Sequence, residues 1–377
     1  MKKLAVITNI PSPYRVDFFY YLQEHVKDYE IHIIYASRNE DNRSWKIEEN
    51  KIQRSHFLDS WTLKIPRRYD TKYIHISRGV GALLKKLRPD VVVGSEYNPT
   101  ILQAVRYCAR HRIPYVSWTD GTLYSERNIS GLQKRLRRYV ISRAAAYIGS
   151  STKSREAQIA YGADPVRCHI SFLTVDLDKY WIQPAEREAS RILCVGSLIE
   201  RKGVDLLLRA LADMDAPFTL ALAGSGPEEE NLKRLAEELH IRDRVEFLGY
   251  LQLEELRRQY ARCGLFVLPT REDCFALVVL EAMCAGLPVI CSRYADGSGD
   301  LIEEGVSGLL VDPYDTVQFR GSLEELLRNP EKAARMGRAA RLQLGKFRFE
   351  EVSRGFMDAV RSAAEKDCRR AEEERID

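Results

Sequence analysis

Short β-branched runs return at regular intervals along this chain, each separated from the next by a stretch with apolar residues at helical spacing. That alternation restricts the architecture more than any other feature. Residues 4–8, 31–35, 91–94, 115–118 and 145–149 are near-continuous apolar runs. Runs of that length and composition belong to strands buried on both faces, which is the situation in parallel sheets. Residues 14–25, 74–87 and 100–111 between them read as amphipathic helices. Strand and helix in turn predict a doubly wound α/β sheet. After a polar, Pro-containing stretch at 176–190 the pattern restarts, with runs at 192–196, 219–223, 245–247, 265–268, 289–291 and 308–311.

With 377 residues the chain is long enough for two compact domains. The expected division is a Rossmann-like domain over 1–180, a second over 190–347, and a C-terminal helix over 348–377 that returns to the first. The two halves share alternation but no short sequence repeat, so two similar folds are expected rather than a repeat array. Each sheet presents its carboxyl-end loops at one edge, and a ligand cleft is expected between them. The charge run from 365 to 377 is expected to fray.

Composition removes several function classes. Net charge is only +4, without the concentrated basic stripe of a nucleic-acid binder. No apolar run approaches the ~20 residues of a membrane span. The run that follows Met1-Lys2-Lys3 is too short for a signal peptide, so a cytoplasmic protein is expected. Eight cysteines and seven histidines are dispersed without metal-ligand spacing. The cysteines read as small buried hydrophobes, and no metal is expected.

The most informative stretch is 268–290, a strand end, an acidic loop, an apolar helix, a Gly-stopped turn and another strand. A helix starting near Phe275 would leave the first amides, at Phe275, Ala276 and Leu277, without acceptors and its positive end toward the loop, an arrangement suited to diphosphate or sugar oxygens. Asp273 and Glu281 flank it, and both can accept hydrogen bonds from hydroxyl groups. The alternatives are that Asp273 only caps the helix and that Glu281 pairs with an arginine. A second stretch, Gly196-Ser197-Leu198-Ile199-Glu200-Arg201-Lys202-Gly203, leaves a strand through glycine into a basic loop. A solvated surface pair is the other reading of Arg201 and Lys202. A third, Gly224-Ser225-Gly226, precedes Gly249-Tyr250-Leu251 at another strand end.

These stretches, in this order, resemble the donor-side motifs of glycosyltransferase family 4 and related GT-B enzymes: two carboxylates seven residues apart, ahead of Ala-Met-x-x-Gly-x-Pro-Val. The resemblance implies two Rossmann-like domains facing each other across a cleft, an acceptor-binding first domain and a nucleotide-sugar-binding second. It implies retention of anomeric configuration without a divalent metal or other cofactor. Asp273 would contact the transferring sugar and Glu281 the donor ribose. The family usually has Glu at the first position, and here Glu272 stands one residue earlier. Arg201 and Lys202 would neutralise the leaving diphosphate, with Arg201 substituting for an arginine that many relatives carry at Ser197. Gly224, Gly249, Tyr250 and Leu251 would lie on the nucleotide side.

In the first half, Ser12 and Arg15 follow the first strand, Glu96 follows the third, and Asp120 stands where many relatives carry His. Asp120 would position the acceptor hydroxyl or take up its proton, with a turn-forming Asp-Gly as the alternative. Lys134, Arg135, Arg137 and Arg138 lie on a basic helix that would either touch anionic lipid or stand solvated. The expected function is transfer of a sugar from a nucleoside diphosphate, UDP before GDP, to a glycan or lipid-linked glycan in cell-surface polysaccharide synthesis. A nucleotide-sugar epimerase and a catalytically silent binding protein are the rival readings.

Overall fold

The computed structural model describes residues 1–40, 51–66, 71–183 and 186–376. It divides into two compact units, one of Met1–Arg67, Thr71–Asp176 and Phe347–Asp377, the other including Leu177–Lys346.

In the first unit the strands are β1 (Lys2–Thr8), β2 (Tyr29–Tyr35), β3 (Ser55–Phe57), β4 (Asp59–Pro66), β5 (Thr71–Arg78), β6 (Val91–Ser95), β7 (Tyr115–Thr119), β8 (Ala146–Gly149) and β9 (Cys168–Ile170). Seven of them form a parallel sheet in the order β3-β2-β1-β6-β7-β8-β9. Its helices are α1 (Pro13–His25), α2 (Val80–Leu87), α3 (Pro99–His111), α4 (Gly131–Arg143) and α5 (Thr152–Ala160). Leu4, Val6, Val91 and Val93 face one buried layer, while Ala5, Ile7 and Val92 face the other. Strands covered on both faces have no polar side to alternate with, which is why they read as unbroken apolar runs.

Helix α6 (Leu177–Tyr180) opens the second unit. There follow β10 (Glu188–Val195), α7 (Val204–Ala212), β11 (Thr219–Ala223), α8 (Glu229–Glu238), β12 (Val245–Gly249), α9 (Leu253–Arg262), β13 (Cys263–Leu268), α10 (Leu277–Cys284), β14 (Val289–Ser292), α11 (Ser298–Leu301), β15 (Leu309–Val311), α12 (Thr316–Arg328) and α13 (Pro330–Leu342). The sheet is parallel, in the order β12-β11-β10-β13-β14-β15. Strand order reverses between β10 and β13, so the loops leaving these two strands diverge and open a crevice at their carboxyl ends.

The last helix, α14 (Phe349–Ile376), belongs to the first unit. Phe356 packs edge-on against Trp118 (5.3 Å) and Phe18 (5.7 Å). Gly355 permits the approach, since a Cβ there would stand 2.0 Å from the Ile170 carbonyl oxygen. The charge run beyond 365 lies outside the described side chains.

Two sequence expectations need correction. Residues 74–87 are not one helix: β5 continues to Arg78 and pairs antiparallel with β4, and α2 starts only after Gly79, whose φ of +80° breaks the chain direction. The two units meet between Asp176 and Leu177, where α6 begins to pack on α10. Helix α10 begins at Leu277, two residues later than expected, since Ala276 is left-handed (φ +70°).

Candidate active site

In the second unit directed hydrogen bonds hold the crevice-forming loops together. The loop after β13 grips the loop after β10. The Arg271 amide donates to the Arg201 carbonyl (2.8 Å), and the Thr270 hydroxyl reaches the same oxygen (3.0 Å). The Arg271 guanidinium forks onto Asp205 with two contacts of 2.7 Å, a geometry that fixes direction as well as charge. Gly203 makes the approach possible. Its φ is +67°, and a Cβ would lie 2.2 Å from the Pro269 carbonyl oxygen.

This clamp sets Arg201 and Lys202 beside the acidic loop. Lys202 Nζ donates to Asp273 Oδ2 over 2.6 Å, and Arg201 stands 3.9 Å from the same oxygen while donating to the Glu272 carbonyl (3.0 Å). Burial alone would raise the Asp273 pKa, but Lys202 and Arg201 outweigh it and hold the carboxyl at about 2. The other oxygen, Oδ1, accepts from the amides of Phe275 and Ala276 at 3.3 Å each. Asp273 therefore both caps the chain entering α10 and engages the two cations. In the first α10 turn the Val279 amide donates to the Ala276 carbonyl (2.9 Å), and the amides of Leu277 and Val278 precede the first possible acceptor in the helix. Phe275 is fully buried.

Glu281 lies on α10 and is 8% exposed. Its partner is not an arginine: the Tyr260 hydroxyl donates to it over 2.8 Å, with Tyr180 as a second hydroxyl partner. Burial raises the carboxyl and these hydroxyls offset part of the rise, leaving it at about 7. Neither tyrosine was singled out by the sequence, because their pairing with Glu281 is tertiary. Gly224 ends β11 at φ +146°, its amide bonded to the Gly249 carbonyl (2.8 Å), and a Cβ on it would strike the Gly196 carbonyl oxygen at 1.9 Å. Three strand ends thereby meet backbone to backbone. Ser197 and Tyr250 are exposed there, and Leu251 is half-buried.

The first unit carries its own polar cluster at the carboxyl ends of its central strands. Arg15 is 5% exposed, stacked 3.7 Å over the Trp118 ring, and its Nη2 contacts both oxygens of Asp120 at 2.8 and 2.9 Å. Asp120 also accepts from the Ser150 hydroxyl. Glu96 accepts from the Asp120 amide (2.8 Å) and the Thr119 hydroxyl (3.3 Å), and sits at φ +70°, a conformation rare for a residue with a Cβ. Burial and then the Asp120 charge raise its pKa to about 7. Ser12 is buried just ahead of α1 without capping it through its side chain. Sequence reasoning reached Arg15, Glu96 and Asp120 separately and missed Ser150 and Trp118, which carry no local signal.

The basic helix α4 differs from its expected form. Lys134, Arg135 and Arg138 are exposed, but Arg137 is buried and bound to both oxygens of buried Glu126, which also accepts from the Tyr161 hydroxyl (2.9 Å). A buried carboxylate needs a paired cation, so Arg137 is not available to a surface ligand.

Among the described residues no helix is long and apolar enough to cross a membrane. Residues 16–179 match the family described as Glycosyltransferase Family 4, and residues 180–343 the family described as Glycosyl transferases group 1. A GDP-mannose-dependent alpha-(1-6)-phosphatidylinositol monomannoside mannosyltransferase of Mycolicibacterium smegmatis is 31% identical over 52% of this chain and 56% of its own. An uncharacterized glycosyltransferase of Haemophilus influenzae is 33% identical over 45% of this chain and 48% of its own. The chain thus spans about half the length of these curated relatives. Among solved structures, HepE of Anabaena in complex with UDP superposes with a TM-score of 0.79 at 18% identity, over 96% of this chain and 100% of that one. The lipopolysaccharide outer core galactosyltransferase WaaB gives 0.75 at 19% identity, over 96% and 99%. These likenesses establish the GT-B fold, with its two Rossmann-like sheets, and the matched families establish that the chain belongs to glycosyltransferase family 4.

Proposed function

We propose that this protein is a retaining glycosyltransferase. It moves a sugar from a nucleoside diphosphate, UDP before GDP, to a hydroxyl of a glycan or lipid-linked glycan, in cell-surface polysaccharide synthesis at the inner face of the membrane. The observation that carries the reading is the Lys202–Asp273 contact of 2.6 Å with Arg201 beside it, at the crevice between the ends of β10 and β13. Donor structures in the fold support it, HepE having been solved with UDP and with UDP-glucose. The mannosyltransferase relative, named for GDP-mannose, keeps GDP as the second candidate.

In this reading the bond between the anomeric carbon and the diphosphate oxygen breaks while the acceptor oxygen bonds to the same carbon. Negative charge grows on the departing diphosphate, and Arg201, Lys202 and the α10 amides stabilise it where a divalent cation would otherwise serve. Asp273 takes a hydroxyl of the transferring sugar and Glu281 a ribose hydroxyl. The acceptor proton passes to an oxygen of the leaving diphosphate on the same face. In the first unit, Arg15, Asp120 and Glu96 form the acceptor side.

Release of UDP or GDP from a panel of nucleotide sugars in EDTA, with and without mixed glycan acceptors, tests this. Acceptor-stimulated release from one donor supports the reading. An epimerised nucleotide sugar, or no turnover of any donor, overturns it.

A further inference from the structure

Two phenols from two different helices converge on Glu281. Tyr260, on α9, is fully buried, with its ring 6.0 Å from that of Phe266 on β13. Its hydroxyl has one proton to give and two acceptors within reach, Glu281 Oε2 at 2.8 Å and the Val278 carbonyl at 3.4 Å. The shorter contact, to a carboxylate, takes it. Tyr180, at the end of α6, is half-buried and donates to the same carboxyl. The Cys284 thiol of α10 lies beside this cluster. Burial and the neighbouring Glu281 hold the Tyr260 phenol well above its ordinary pKa, so it stays a donor wherever Glu281 is ionised. Packing alone needs no hydroxyl at this position, since phenylalanine fills the same space without a polar group to desolvate.

The type and number of these donors bear on what else Glu281 can bind. An arginine would neutralise the carboxylate and weaken its pull on uncharged hydroxyl groups, whereas neutral phenols leave the full charge in place. Being anchored on separate helices, they also fix the rotation of the carboxyl group. An ionised carboxylate offers about four acceptor positions on its two oxygens. The tyrosines occupy two of them, and a ribose presents two neighbouring hydroxyls, the number left to fill. A protonated carboxyl loses one of these positions to its own O–H.

We infer that Tyr260 and Tyr180 are positioning residues for the donor ribose: they orient the Glu281 carboxylate and leave it two acceptor positions for the 2′- and 3′-hydroxyls, so that the site selects a ribonucleoside diphosphate over its 2′-deoxy counterpart. The inference rests on the assignment of Glu281 to the ribose.

The test is calorimetry of UDP and of 2′-deoxyuridine diphosphate with the full chain between pH 6 and pH 9, with GDP and its 2′-deoxy form as a second pair. Compared are the wild type, Tyr260→Phe, Tyr180→Phe and Glu281→Gln, each checked for folding by circular dichroism. The ratio of the two Kd values cancels the titration of the diphosphate, which both ligands share. The wild type is expected to prefer the ribonucleotide by about tenfold or more at high pH, the worth of a hydroxyl bond to a charged acceptor. That preference should fall as pH drops through about 7, where the carboxyl takes up its proton. Each Tyr→Phe change should cut the ratio by about threefold or more and move its midpoint to higher pH, because each phenol lowers the carboxyl pKa, Tyr260 more than Tyr180. A packing role alone would weaken both ligands alike and leave ratio and midpoint where they were. Unchanged ratio and midpoint in either tyrosine variant, with the ratio lost in Glu281→Gln, overturn the inference and leave the ribose assignment intact. A wild type without preference, or a Glu281→Gln variant that keeps it, overturns the ribose assignment and the inference with it. Absence of binding to both nucleotides overturns the donor reading as a whole.

Discussion

Lys202 Nζ lies 2.6 Å from Asp273 Oδ2, joining residues 71 positions apart at the ends of two strands. The cation that would receive a diphosphate is thus already engaged by the carboxylate that would receive the sugar. Removing the carboxylate charge should separate binding from chemistry. In Asp273→Asn, UDP affinity is expected to hold or rise a few-fold, because a competing anion is gone, while sugar transfer falls about a hundredfold or more. Calorimetry with UDP beside a turnover assay checks this; parallel loss of both would mean that the pair is only a structural clamp.

Arg15 reads both oxygens of Asp120 from a buried position. A lysine keeps the charge but loses the planar guanidinium that stacks on Trp118 and fixes the direction of the contact. Arg15→Lys is expected to lower kcat/KM for the acceptor at least tenfold while UDP affinity stays within twofold of wild type, the size expected for losing one directed charge-assisted bond. Equal losses on both sides would contradict an acceptor-side role.

Gly203 cannot accept a side chain without moving the Pro269 carbonyl, and its φ is +67°. Gly203→Ala is expected to cost about 2–4 kcal/mol and to weaken UDP binding by displacing Arg201 and Lys202. A denaturant titration and calorimetry read the two effects.

Glu281 carries a pKa raised from 4.5 to about 7 by burial. The folded state therefore holds this proton more tightly than the unfolded state. Its contribution to stability is fully present below about pH 4.5 and is lost as pH rises to about 7. Glu281→Gln should flatten that part of the stability profile and be the more stable protein at pH 8, by up to about 3 kcal/mol, while binding UDP more weakly if the ribose is its ligand. Melting curves from pH 5 to pH 8 distinguish the variants; identical slopes would contradict the assignment.

How much of this was legible in the sequence depended on whether the cause was local. Val91–Ser95 and Thr219–Ala223 showed as strands because burial on both faces writes itself as an apolar run. The basic loop, and the acidic loop with its apolar helix, showed because each is a short contiguous motif. The β5 strand was hidden because Ile74 and Ile76 merge with the helical spacing of Val80, Leu84 and Leu87, and because its buried face is the polar one. Arg137 was indistinguishable from its basic neighbours, since what sets it apart is Glu126, in the loop ahead of α4. Arg15 and Asp120 are 105 residues apart, and no periodicity links them.

The central claim is that Lys202 and Arg201 form the diphosphate site. Isothermal calorimetry of UDP in EDTA against the wild type, Lys202→Ala and Arg201→Ala tests it most directly. The expected result is measurable binding by the wild type and a loss of about thirtyfold or more in Lys202→Ala, the worth of a charge-assisted contact to phosphate, with a smaller loss in Arg201→Ala. Binding of UDP that neither substitution weakens would contradict the account.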